Sequence, residues 1–291
     1  MKQPVKSPED LELKVRKVDY DYAPVFEKHR HWDDENPVLT HFLDALQATF
    51  PEGERFFIEA ARDSAAILRK KGKLPGRLAR DLELFIRQEG AHGKQHDKWN
   101  AALKDNGFPR MAEYNGQIHR LRITLRRLFS PRWNIACTAG AEHHTANLAH
   151  LLFFLKPDYI ARAKSPFREL LMYHAVEELE HKSVCYDLFQ QLSGNYFRRI
   201  AAFAYISLEI AWMVYRRFRY LMMKHDRWDR FYRRAARRFF FGRGGFFRTM
   251  APRIAVYLKP SFHPWNTDER EWIEREVGEE LSRYGIPAYS S

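Results

Sequence analysis

The chain has 291 residues, 45% hydrophobic and 30% charged, a balance that excludes intrinsic disorder and gives material for a sizeable core in one or two domains. Its formal net charge is +12, and +10 of this lies between Arg216 and Arg248, where twelve Lys or Arg face only Asp226 and Asp229. The only cysteines, Cys137 and Cys185, make neither a disulfide framework nor a thiolate metal site, and MKQPVKSPEDLELKVRKVDYDYAP has no apolar signal core, so a cytoplasmic protein is expected.

Helix-period patterns dominate and no strand-like alternation is convincing, which predicts an all-α fold. Residues 1–35 read as an irregular lead-in. Asn36-Pro37 starts a short helix to about Ala48, with proline tolerated in the first turn. Thr49-x-x-Glu52 reads as a capping box opening the next helix, about Phe50 to Lys71, which Gly72 and Leu74-Pro75-Gly76 end. A long helix follows from about Arg77 to Lys104, stopped by Asp105-Asn106-Gly107-Phe108-Pro109. A connecting helix near Glu113 to Phe129 leads to Ser130-Pro131, after which a helix runs from Arg132 to about Leu155. Ser165-Pro166 begins another that continues to about Leu192. The middle connection is longer than the two flanking turns, the connectivity of a ferritin-like four-helix bundle over residues 36–193.

Residues 194–291 read as a basic, aromatic-rich helical extension packed on that bundle. Ile200 to Tyr215, apolar but short and interrupted by Glu209, reads as a buried or dimer-forming helix rather than a spanning one. Arg216 to Arg248 interleaves Arg with Trp, Tyr and Phe. This suits an anionic membrane surface, or a clamp on a phosphate-bearing or fatty acyl substrate, and no nucleic-acid motif accompanies it. Asn266-x-x-Glu269 is read as the cap of a last polar helix ending near Tyr284.

One arrangement is repeated. Glu54 lies 35 residues before Glu89-x-x-His92, and Glu142 lies 36 residues before Glu178-x-x-His181. Steps of three and four carry Leu78, Leu82, Phe85, Glu89, His92 and His96 on one helix face, and Phe167, Leu171, His174, Glu178, His181, Cys185 and Leu188 on another. Ile135, Thr138, Glu142, Thr145, Ala149 and Leu152 form a third face, and Phe50, Glu54, Phe57, Ala61 and Ser64 a fourth. The carboxylates therefore point inward, and these seams contain no Lys or Arg to balance them. Four buried glutamates with neutral imidazoles suit two divalent cations, iron or manganese better than calcium. The expected ligands are Glu54, Glu89, His92, Glu142, Glu178 and His181. His96 and His174, one turn beyond and before the two motifs, are read as further ligands, proton relays or, by preference, groups that orient the ligands, and Thr145 as a group beside the ligands that could position a metal-bound oxygen species. Glu177 and Glu180 read as solvated or Arg-paired, and His143, His144 and His150 as hydrogen bonders between helices. Thr138, like Thr145, lies on the Glu142 face.

FPEGERFF, QEGAHGKQH, AGAEHHTA and YHAVEELEHKSVCYD resemble the ferritin-like di-iron carboxylate superfamily and, more narrowly, a bacterial family described as predicted metal-dependent hydrolase, over roughly residues 15 to 265. The resemblance implies terminal carboxylates at Glu54 and Glu142, bridging ones at Glu89 and Glu178, and one nitrogen to each metal from His92 and His181. The expected cofactor is a metal pair, Fe/Fe or Mn/Fe. The leading functional expectation is oxidation of a small organic, acyl or apolar, substrate with O2, drawing on an unidentified electron donor. Hydrolysis and non-catalytic iron handling are the alternatives. A homodimer and peripheral attachment at the inner membrane face are further expectations.

Overall fold

Proline and glycine punctuate the chain where helices begin and end. The computed structural model describes residues 7–8, 11–28, 32, 36–225, 227–272 and 282–283, and has helices but no strand among them. In chain order these are α1 (Ala23–Lys28), α2 (Pro37–Gln47), α3 (Phe50–Lys70), α4 (Gly76–Asp105), α5 (Arg110–Leu128), α6 (Pro131–His150) and α7 (Asp158–Arg162). They continue with α8 (Phe167–His181), α9 (Val184–Leu192), α10 (Tyr196–Lys224), α11 (Arg230–Phe241), α12 (Phe246–Ala255) and α13 (Arg270–Trp272). Asn36 caps α2 by accepting from the Leu39 N–H, and Gly72, at φ 62°, supplies the left-handed turn after α3.

Five expectations need correction. The Thr49 hydroxyl donates back to the Leu46 carbonyl, and Glu52 pairs with Arg55 and His119, so no capping box forms. Thr49 has helical φ and ψ because α2 runs almost directly into α3, which leaves no extended cap position. The lead-in contains α1, whose Ala23 N–H bonds the Asp21 side chain. The helix starting at Arg132 ends in a π turn, Leu151–Leu155. The helix expected to run to Leu192 breaks at Lys182 and Ser183. There Lys182 turns to the Thr267 carbonyl, Glu269 and the Trp265 ring. Glu269, so engaged, is not a capping partner of Asn266; Asp268 accepts from the Arg270 N–H instead, and the expected helix beyond Trp272 lies outside the described residues.

The helices α3, α4, α6 and α8–α9 pack on one another, α5 lies on α3 and α4, and α10 covers α6 and α2. Apolar positions along α4 explain where the polar residues fall. Leu78, Leu82 and Phe85 enter one core with Ile135, Leu188 and Phe189, whereas Trp99 and Leu103 enter a second with Phe167, Leu170 and Leu171. The α4 residues between those two sets are the polar ones. Burial in both cores drives the packing, so the polar layer between them is placed by its neighbours. None of the described helices is long and apolar enough to cross a membrane.

The lead-in is also a strap. Residues 14–22 run across α4 and α8, and their backbone groups are satisfied by side chains: Gln88 and Gln95 donate to the carbonyls of Lys14 and Val18, and Glu177 accepts from the Arg16 N–H. The Arg16 guanidinium is buried against Glu177 and Glu180.

Candidate metal centre

Four elements bring eight predicted residues together between the two cores. Glu54 comes from α3, Glu89, His92 and His96 from α4, Glu142 from α6, and His174, Glu178 and His181 from α8; none is more than 6% exposed. Their donor atoms fall into four overlapping groups, each within 4.8 Å: Glu54, His96 and His174; His92, His174 and Glu178; Glu54, Glu89 and His92; Glu89, Glu142 and His181. Gly93 leaves room for the Glu54 carboxylate, since a Cβ at that position would lie 3.2 Å from Glu54 Oε2.

The imidazoles divide by how their nitrogens are used. His181 Nδ1 lies 3.0 Å from Gln88 Oε1, an acceptor, so Nδ1 carries the hydrogen. In the neutral ring this aims the Nε2 lone pair at Glu89, Glu142 and Glu178, whose oxygens are 3.2, 3.3 and 3.4 Å away. His92 turns Nε2 toward Glu177 Oε2 at 3.0 Å and Nδ1 toward Glu89 and Glu178 at 3.8 and 3.9 Å. His174 spends both nitrogens, with Nε2 2.7 Å from Glu178 Oε1 and Nδ1 3.1 Å from His96 Nε2. Thr145 donates to Glu178 Oε2 or to the Glu142 carbonyl, whereas Thr138 bonds only its own helix, at the Asn134 carbonyl.

Charge is the difficulty of this site. No oxygen of Glu54, Glu89 or Glu142 has an aligned hydrogen bond, although all are buried. Among the described residues no Lys or Arg forms an ion pair with any of the four glutamates; their partners are histidines. Burial, then the Glu178 charge, raises the Glu54 carboxyl well above the ordinary range; burial and Glu142 do the same to Glu89. Burial likewise pushes Glu142 up to about 7. Burial and His174 drive His92 and His96 well below the usual imidazole value. Burial also disfavours charge on His181, but Glu178 and Glu142 outweigh it and raise the group. For Glu178 burial is outweighed in turn, by His181 and His174, and its pKa lies well below the ordinary value. Protons retained on Glu54, Glu89 and Glu142 thus relieve the repulsion. Divalent cations would do so with greater compensation, and the donor set fits them.

Sequence reasoning missed the residues that aim the imidazoles. Glu177, read as solvated or Arg-paired, is fully buried, paired with Arg16 and set against His92; Glu180 is buried too, paired with Arg16. Gln88 holds the His181 ring by a hydrogen bond, whereas Glu177 stands 3.0 Å from His92 Nε2 without an aligned one. The signal was present one residue upstream of each motif: Gln88-Glu89-x-x-His92 and Glu177-Glu178-x-x-His181 repeat a polar residue before the glutamate, and each reaches across to the other helix's histidine. Gln88→Leu should therefore weaken metal binding about 10- to 100-fold with the helical circular dichroism unchanged, because the His181 ring loses the acceptor that fixes its tautomer. Unchanged affinity in a chelator competition would remove Gln88 from this role. His143 and His144 bond between helices as expected, to the Ile254 carbonyl and to Ser207, whereas His150 meets Glu269 in the segment before α13.

Beside the cluster lies a cavity of about 550 Å³. Glu54, Thr145, His174 and Glu178 line it at the buried side, and Leu46, Phe50, Val214, Phe218 and Phe240 form much of its wall.

The family model described as predicted metal-dependent hydrolase matches residues 14–268, and the chain belongs to that family. Comparisons with curated proteins and with solved structures gave no match. Hydrolysis, the alternative in the sequence reading, is thus better supported than oxidation.

Proposed function

We propose that this member of the predicted metal-dependent hydrolase family cleaves a bond in an organic substrate at a two-metal site seated in a ferritin-like four-helix bundle, residues 36–193. The observation that carries the reading is the convergence of four buried glutamates with imidazole nitrogens aimed at them and no pairing Lys or Arg among the described residues. Glu54, Glu89, His92, Glu142, Glu178 and His181 are the ligands in this reading, and iron or manganese suits the donors. A bound metal pair supplies Lewis acidity toward the scissile group and a water of lowered pKa.

The protein's own groups do the rest. Gln88 sets the ring orientation of His181, and Glu177 places a carboxylate beside His92 Nε2. His174 cannot offer a free nitrogen while it bonds both His96 and Glu178, so it orients Glu178 instead. Thr145 holds the same carboxylate from α6. The apolar wall keeps bulk water from the buried side of the cavity, and Glu54 faces that space with oxygens that accept no hydrogen bond.

Oxidation with O2 is the second reading, favoured by the same water-excluding wall beside a carboxylate-rich site. Turnover without oxygen separates them. Zn- or Mn-loaded protein should cleave acyl esters or thioesters anaerobically. Oxygen uptake by the reduced iron form, with no cleavage in any anaerobic metal form, would overturn the hydrolytic reading and leave the oxidative one.

A further inference from the structure

The cavity is built for a particular shape of ligand. Its volume, about 550 Å³, is that of a site for one small molecule, and its ionisable groups lie mainly at two places, while Thr49, His144 and Ser207 on the wall bond protein partners. At the buried side are Glu54, Thr145, His174 and Glu178; at the exposed side are Arg233 and Arg237, one turn apart on α11. Arg122 also lines the space, but Glu209 neutralises it at 3.1 Å. Neither Arg233 nor Arg237 forms an ion pair with a described residue; Arg233 bonds only the Asp229 carbonyl. A ligand with polar groups along its length would bury them unpaired against Leu46, Phe50, Val214 and Phe218. A wholly apolar one would leave two cations at the rim without use.

We propose that the cavity binds a chain with an anionic group at one end and an ester or thioester at the other: the chain fills the apolar space, the anionic group meets Arg233 and Arg237, and the acyl bond reaches Glu54 and Glu178. The inference rests on the hydrolase reading for cleavage of that bond, in which water adds to the acyl carbon and the alcohol or thiol leaves, and on the cavity alone for binding.

Titration calorimetry with saturated carboxylates, octanoate to tetradecanoate, tests it on metal-loaded and on chelated protein. Affinity should rise about fourfold per added methylene until the space is full. The matching alcohols should bind about tenfold or more weakly, and the Arg233→Ala/Arg237→Ala double variant should abolish that difference. Gly53→Leu should abolish binding while the melting temperature holds, because Gly53 lines the cavity and a Cβ there would meet only Phe57 Cζ, at 3.9 Å. Affinity independent of chain length, or unchanged affinity in a folded Gly53→Leu, would overturn the proposal. The length series and the exposed arginine variants decide it even where Gly53→Leu does not fold. Carboxylates that bind both protein forms, with no cleavage of the monomethyl esters of the matching dicarboxylates by the loaded one, would keep this assignment and sink the hydrolase reading.

Discussion

Glu89→Ala is expected to purify with neither metal, where the unaltered protein carries both. Glu89 stands in two of the donor groups, one with Glu54 and His92 and the other with Glu142 and His181, so its removal breaks both sets at once. Each set would keep one carboxylate and one imidazole, with Glu178 left as the single carboxylate between them, too few to replace a cation's water shell. The same change should cost the metal-free fold little. Both oxygens of Glu89 are buried without an aligned hydrogen bond, and leaving one such group unsatisfied costs about 1–3 kcal/mol, which offsets the void left by truncation. Elemental analysis together with thermal melts of the chelated proteins reads both effects. Glu83→Ala, on the exposed face of the same helix, is the control and should keep both metals. Full metal content in Glu89→Ala would refute its place as the shared ligand.

Much of this site was legible because helix geometry is local. Once Pro37, Gly72, Pro75, Pro109, Pro131 and Pro166 had divided the chain, steps of three and four fixed which side chains share a face, and the seam residues named from that spacing are buried except for the half-buried Phe50 and Thr145. What could not be read depends on contacts between distant parts of the chain. The break after His181 serves a buried lysine whose partner, Glu269, lies 87 residues away. The strap at residues 14–22 has no helical period to announce it, and its backbone is held by side chains of α4 and α8.

Glu177 shows a subtler limit. On a helical wheel it lies off the seam of Glu178 and His181, which argued for solvent or an Arg partner; Arg16 is that partner. Helix α8 is buried on nearly every side, by α4, α6 and the strap, so lying off the seam does not expose it. The cavity was equally invisible, because α2, α3, α6, α10, α11 and α12 all contribute to its wall. Chemistry is the last thing the sequence holds: the ligand types constrain the metals, whereas the bond that reacts depends on what the cavity admits.

Chelation should make the protein's stability fall as the pH rises from about 6.5 to 8.5, and reloading with metal should flatten that slope. The sign follows from which groups still hold protons in the folded state. His92 and His96 have depressed values, so their stabilising neutrality is lost only below the unfolded imidazole value of about 6.5 and plays no part higher up. Glu54 and Glu89 are raised well above the ordinary range, Glu142 to about 7, and His181 is raised as well. For the three carboxyls the folded protein binds protons that the unfolded chain has already released, and the same holds for His181 above about 6.5. Stability therefore drops by about 1.4 kcal/mol per pH unit for each group still protonated in the fold. Divalent cations take the place of those protons and remove the linkage. A metal at about a hundred times its dissociation constant adds about 2.7 kcal/mol besides. Melting temperatures of chelated and loaded protein across this interval provide the comparison. A chelated protein equally stable at both ends would mean that the buried glutamates hold no extra protons, and the charge argument for the metal pair would lose its basis.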